Sequence, residues 1–349
     1  MLKNTRILIT GGAGFIGSNL VEAFLQQDNE VACLDNFSTG KRENIHDFLN
    51  NKNFKLIEGD IRNLKACQKA CNGIDYIFHH AAIASVPRSI KDPITSTGIN
   101  IMGTLNMLIA ARDSKVKRFI YAASSSTYGD DTSLPNIEDK IGKPLSPYAI
   151  TKYVNELYAE NFSRLYGIET VGLRYFNVFG RRQDPLGAYA AVIPKFIISL
   201  IRHESSIING DGTYSRDFTY IDNIIQANEL AALVPSSKLN TGFDLSTDNH
   251  QLPVHRSLGE GGSIIFNIAY GERTSINELF YILRDNLSLF DSKIAEVKPI
   301  YGQEREGDIA HSLSDISKAR NLLGYTPEYS VKEGLEKASK WYWENLKTI

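Results

Sequence analysis

Residues Arg6–Gln27 read RILITGGAGFIGSNLVEAFLQQ. Five residues of β-prone character run straight into a glycine cluster and then into a stretch of helical periodicity. Gly11, Gly14 and Gly17 give the spacing GxxGxxG between strand and helix. In that context each glycine has a job. Gly11 permits the tight turn, Gly14 lets the backbone approach a pyrophosphate, Gly17 lets helix and strand pack closely, and the helix N-terminus faces the anion. A second strand, Glu30–Leu34, ends in Asp35, 18 residues beyond Gly17. A carboxylate there suits ribose hydroxyls and repels a 2′-phosphate, so the pattern predicts NAD rather than NADP.

Working outward, further strands are expected at Phe54–Glu58, Tyr76–His79 and Phe119–Ala122, with helices near Asn63–Cys71 and Asn100–Asp113. This alternation predicts an α/β fold, a doubly wound parallel Rossmann sheet with its ligands at the carboxyl ends of the strands. Asp60-Ile61 and His80-Ala81-Ala82 fall at two such ends. The fifth strand leads into AASSSTYG at Ala122–Gly129, and SPYAITK follows at Ser146–Lys152. Tyr148 and Lys152 are four apart on a stretch of helical periodicity, so both project from one face. An adjacent ammonium and a cationic nicotinamide both favour the phenolate of Tyr148, which makes it a base for a substrate hydroxyl. Ser124 would hold the same oxygen.

Composition adds bounds. The chain has 349 residues with a net charge of -2 and 42% hydrophobic residues, enough for a substantial core and without the basic surface of a nucleic-acid binder. Cys33, Cys67 and Cys71 form neither a CxxC nor a zinc spacing, so reduced thiols and no metal site are expected. His250 and His255 lack further ligands at fitting spacing. The N-terminus has no signal-peptide core, and no stretch approaches about 20 apolar residues, so no membrane partner and a cytoplasmic location are expected.

Together TGGAGFIG, LDNFSTG, the GDIR of Gly59–Arg62, HHAA, SSSTYG, SPYAITK and LRYFNVFG resemble the extended short-chain dehydrogenase/reductase family, in particular its nucleotide-sugar 4-epimerases. The resemblance runs along nearly the whole chain and is closest to the enzymes acting on UDP-N-acetylglucosamine. It implies that NAD is held by Gly11, Gly14, Phe15, Ile16, Asp35, Asn36, Ser38, Thr39, Gly40, Asp60, Ile61, Ala81, Ala82 and Val178, together with Tyr148 and Lys152. Ser124, Tyr148 and Lys152 would be catalytic. For the UDP-sugar it implies Ser85, Val86, Ser124, Ser125, Ser126, Tyr148 and Tyr175, with Asn177 on the diphosphate side. Ala191, Val192, Lys195, Asn209, Arg216, Arg305, Asp308 and Ser312 would follow around the nucleotide and the sugar's far side. Two arginines suit a pyrophosphate, since guanidinium forks bind its oxygens bidentately.

The resemblance also divides the chain. Residues 1–180 form the NAD-binding domain, to which the chain returns around 217–238 and 263–270; 181–216 and 271–349 form a smaller α/β UDP-sugar domain. The turn-rich residues 239–262 read as a surface insertion, and family members commonly form homodimers through the helices after Asn100 and Ser146. At Ile207 close relatives often place a tyrosine near the uracil, so nucleotide contacts differ there.

The same fold hosts 4,6-dehydratases, which carry a Thr-Asp-Glu type triplet where this chain has Ser124-Ser125-Ser126. Three hydroxyls do not supply the extra acid and base that elimination needs, whereas they can hold a sugar during C4 oxidation. The expectation is therefore reversible C4 epimerisation through a 4-keto sugar. In the family the residue seven after the Arg305 equivalent lines the sugar pocket, and a tyrosine there excludes acetylated hexoses. Here it is Ser312, which favours UDP-GlcNAc and UDP-GalNAc. The alternatives are UDP-glucose/UDP-galactose, the uronic acid UDP-GlcNAcA, a net NAD-dependent oxidoreductase and a catalytically inactive NAD sensor.

Overall fold

The computed structural model describes residues 1–187, 190–239, 262–304 and 309–346. Its centre is a parallel sheet built from β1 (Arg6–Thr10), β2 (Glu30–Asp35), β3 (Phe54–Glu58), β4 (Tyr76–His79), β5 (Arg118–Ser124) and β6 (Glu169–Tyr175), with Ser263–Ile268 on the edge beyond β6. From that edge strand the order is β6, β5, β4, β1, β2, β3. The chain order reverses between β1 and β4, which is where a doubly wound sheet opens a crevice. Registers such as Thr10 with His79, His79 with Tyr121 and Ser124 with Tyr175 bring the carboxyl ends to one edge.

The central strands carry apolar runs between polar ends because helices cover both faces. Ile7, Leu8, Ile9, Phe78, Phe119 and Ile120 are fully buried. Each such side chain contributes about 1.5–3 kcal/mol relative to exposure. On one face lie Phe15–Leu25 and Ile221–Leu233; on the other, Leu64–Cys71 and Pro147–Tyr166. The C-terminal half adds three short strand pairs, Val178–Phe179 with Thr219–Tyr220, Ile207–Asn209 with Ile300–Gly302 and Ser215–Arg216 with Thr274–Ser275. Helix Ile276–Ser288 packs on Thr274–Ser275 and Val331–Leu346 on Thr219–Tyr220, and both helices pack against Val192–Ile201.

Two expectations need correction. β5 runs to Ser124 rather than stopping at Ala122, so the serine run starts on the strand itself. The helix expected from Asn100 begins at Pro93, because the Asp92 carboxylate caps it by accepting from Thr95 N (3.0 Å). With that start, Pro93–Asp113 is long and apolar enough to cross a membrane, contrary to the sequence expectation. About 44% of it is buried inside the protein, and Asn100 on it bonds Ile83 and Thr151. That is how a packed core helix behaves. Residues 240–261, nearly all of the expected insertion with His250 and His255, lie outside the described residues.

Candidate active site

β1 ends in a turn that only glycine accommodates. Gly11 has φ +69°, its N–H donates to Leu34 O (2.8 Å), and a Cβ on it would lie 2.7 Å from Ala81 N. A Cβ on Gly17 would overlap the Gly11 carbonyl, so helix Phe15–Leu25 can seat this close only with glycine there. Gly14 is the N-cap and has no side chain to cap the first N–H groups, which leaves them to an anion. Asp35 is fixed by Ala13 N on Oδ2 (2.9 Å) and Phe37 N on Oδ1 (2.8 Å). Arg62, bonding at 2.6 Å, holds the Asp60 carboxyl down to about 2, and Asn36 also donates to it.

Gly11, Gly14, Gly17, Asp35, Asn36 and Asp60 line a cleft of about 820 Å³ together with Phe15, Ile16, Ser38, Thr39, Gly40, Ile61, Ala81 and Ala82. The cradle that a Cβ would fill, the uncapped helix end and the fixed carboxylate fit a dinucleotide. Lys41 Nζ reaches Asp184 at 2.9 Å across the cleft's lip, and both residues line it.

At the far end of the same cleft stand Ser85, Ser124, Ser125, Tyr148, Lys152, Tyr175, Asn177 and Val178. Helix Pro147–Tyr166 starts where it does because Ser146 Oγ accepts from Ala149 N (3.1 Å) and Pro147 occupies its first turn. It ends at Gly167 in the left-handed region, φ +73°. Tyr148 therefore lies in the first turn, where its N–H donates to Ser89 Oγ (3.0 Å). Lys152, 5% exposed, donates to Ala122 O (2.7 Å), with Nζ 5.9 Å from the Tyr148 ring centre. Ser126 does not line the cleft; its N–H and hydroxyl both donate to Ser124 Oγ, at 3.2 and 2.9 Å.

Burial pushes Tyr148 above its ordinary value, opposed by a hydrogen bond with the Ser124 hydroxyl. Burial also pulls Lys152 down to about 8, opposed by the Glu156 carboxylate. His79 and His80, behind Lys152, are pulled down to about 3 by burial and stay neutral.

Asn177, Val178 and Ala191 line both this cleft and a second cavity of about 270 Å³. Val192, Asn209 and Arg216 lie in that second cavity with Phe196, Ile207, Phe218 and Ile276, an apolar slot with polar ends. Arg216 Nη1 donates to Ser215 O and Ala310 O (3.0 and 3.1 Å). Ser312 lines neither cavity but sits against Asn177, with Asn177 Nδ2 and Asp217 N both 3.4 Å from its Oγ. Val86 and Lys195 are exposed and line neither cavity, so with Ser126 and Ser312 four of the expected substrate contacts lie outside both linings. Arg305 and Asp308 lie outside the described residues.

Residues 7–242 match the NAD dependent epimerase/dehydratase family. A putative UDP-glucose 4-epimerase of Methanocaldococcus jannaschii is 36% identical over 98% of this chain and 100% of its own length. This chain belongs to the NAD-dependent epimerase/dehydratase family. A UDP-glucuronate 4-epimerase of Thermodesulfobacterium geofontis is 34% identical over 98% of this chain and 97% of itself. Among solved structures, a UDP-N-acetylglucosamine 4-epimerase from Methanobrevibacter ruminantium, in complex with UDP-N-acetylmuramic acid, superposes with a TM-score of 0.84. It is 38% identical over 99% of this chain and 100% of its own.

As an epimerase/dehydratase family enzyme the chain uses NAD, and the 4-epimerases it resembles make it an isomerase. The family motifs led to the cleft's floor but not to Arg88, which lines the cleft one residue before the Ser89 that holds Tyr148. Nor did they reveal the Lys41–Asp184 contact, since nothing local marks an ion pair spanning 143 positions.

Proposed function

We propose that the enzyme inverts C4 of a UDP-N-acetylhexosamine, interconverting UDP-GlcNAc and UDP-GalNAc through a 4-keto sugar. The observation that carries this reading is Ser312 packed behind Asn177, the residue that lines both cavities. A serine hydroxymethyl at that point leaves room for an acetamido group, where a tyrosine would fill it. UDP would lie with its base in the apolar slot and its diphosphate toward Arg216, and the sugar would reach Tyr148.

NAD, when bound, supplies the positive charge that favours the Tyr148 phenolate and the acceptor that takes up and gives back the C4 hydride. The rest falls to the chain. Tyr148 takes the proton of the C4 hydroxyl, Ser124 holds the same oxygen, and Lys152 lends its charge to the phenolate. The 4-keto sugar turns about its diphosphate linkage and presents its other face. Tyr148 then returns the proton to the C4 oxygen. A hydride that is returned leaves no net oxidation, so the cofactor needs no exchange. The exposed apolar side chains Ile94 (85%), Met102 (50%), Ile150 (50%) and Leu157 (47%) of two neighbouring helices support a homodimer.

Arg88 favours a second reading, a substrate with a carboxylate on the sugar such as UDP-GlcNAcA, since a guanidinium in the cleft would pair with it. Incubation with UDP-GlcNAc, UDP-Glc and UDP-GlcNAcA, with products resolved by NMR, separates these readings. UDP-GlcNAc is expected to turn over best, and Ser312→Tyr to remove that activity while sparing UDP-Glc. Equal loss of both activities would count against the role of Ser312.

A further inference from the structure

An ammonium taken out of water needs a counter-charge, and a phenol that must ionise beside it depends on that ammonium. Lys152 is buried, and the titratable groups that face it can be named. Tyr148 and Glu156 lie on its own helix, the neutral His79 ends β4 with the neutral His80 directly after it, and β5 offers the Ala122 carbonyl. Glu156, one helical turn beyond Lys152 and 3% exposed, supplies the negative charge of that set. It cannot swing away. Arg174 on β6 grips it with a fork, Nε to Oε1 at 2.9 Å and Nη2 to Oε2 at 2.8 Å. Arg174 Nη1 is itself anchored on Glu138 O (2.9 Å) and the Tyr128 hydroxyl (3.2 Å), which donates to Asn267 Oδ1 (2.6 Å).

We propose that Glu156 is a positioning residue whose carboxylate, clamped by Arg174, keeps Lys152 an ammonium and thereby sets how readily Tyr148 gives up its proton. This rests on the proposed role of Tyr148 beside the nicotinamide but not on which sugar is the substrate. Its sign follows from distance. Glu156 lies eight residues from Tyr148, about 12 Å along the helix, whereas Lys152 Nζ is 5.9 Å from the ring. With Coulomb energy falling as inverse distance, the lysine acts on the phenol with about twice the weight of the glutamate. Removing the carboxylate costs the phenolate more than it returns by relieving repulsion once Lys152 loses more than half of its charge, which is what the proposal requires. A Glu156 that merely neutralises Arg174 would alter stability and leave the titration of Tyr148 where it was.

A tyrosinate against an oxidised nicotinamide gives a charge-transfer absorbance, so the NAD-loaded enzyme can be titrated from about pH 5 to about pH 10 without substrate. Glu156→Gln is expected to move the midpoint of that band upward by about one pH unit, about tenfold less phenolate at a fixed pH below it. Breaking one side of a buried pair can unfold a protein. Should Glu156→Gln fail to fold, the doubly neutral E156Q/R174Q variant is read instead, with the same upward shift expected. Arg174→Lys, which leaves the carboxylate charged, should titrate as the unaltered enzyme does. An unchanged or lowered midpoint in the Gln variants overturns the proposal. Failure of the unaltered NAD-loaded enzyme to show the band overturns the placement of Tyr148 beside the nicotinamide, and the proposal with it.

Discussion

Tyr148 and Lys152 pull each other toward ionisation while burial pulls both away from it. The protein alone holds the phenol above its ordinary value and lowers the lysine to about 8. For the lysine the sign is definite. Its charged form exists below that value and is lost above it, so kcat should fall as the pH rises through about 8. The measurement is kcat against pH under saturating sugar nucleotide. In Lys152→Met the rate should lie far lower at every pH and this alkaline limb should be missing; a limb that survives there belongs to another group. At this scale the sequence was informative where spacing alone decides geometry. Tyr148 and Lys152 four apart on a helix could be read directly, and so could the serine run at a strand's end. Arg88 and Glu156 could not, because one matters through the cleft that its helix lines and the other through its ion pair with Arg174 on β6.

The glycine turn and the helix after it are the element on which the cofactor site stands. Its logic is steric and local, which is why Arg6–Gln27 disclosed it without a structure. Gly11→Ala would put a side chain at φ +69° and 2.7 Å from Ala81 N, so backbone must move. The expected result is a loss of about 1–3 kcal/mol of stability and much weaker NAD retention. Thermal unfolding with and without NAD, and NAD content after gel filtration, would measure both; an unchanged NAD content would contradict the role given to the turn. Helix Pro93–Asp113 shows the limit of local reading. Its true start depends on the Asp92 cap and Pro93, signals present in the sequence but masked by the small polar residues between them and Asn100. Helices Val192–Ile201 and Ile221–Leu233 were not anticipated at all. Their boundaries are set by the strands and cavities they pack against, and neither has a side-chain N-cap bond to announce it.

On the scale of the whole molecule, one edge of one sheet gathers Gly11, Asp35, Ala81, Ser124, Tyr175 and Asn177 into a single cleft. That convergence was foreseeable from strand–helix alternation, since a parallel sheet sends every β-to-α loop to the same side. Lys195 and Val86 show where the expected contacts and the observed linings part: both are exposed and line neither cavity. The apolar side chains on helices Pro93–Asp113 and Pro147–Tyr166 lead to a further expectation. Ile94→Glu combined with Ile150→Glu should convert a dimer to a monomer, as read by light scattering, and a mass unchanged by the substitutions would place the interface elsewhere. The central claim is a hydride taken from C4 and given back to the same carbon. It is tested most directly with UDP-GlcNAc deuterated at C4, incubated in ordinary water without added NAD and followed by NMR. The expected product is UDP-GalNAc that keeps its deuterium at C4. Loss of the label to solvent, or turnover that stops unless stoichiometric NAD is supplied, would contradict it.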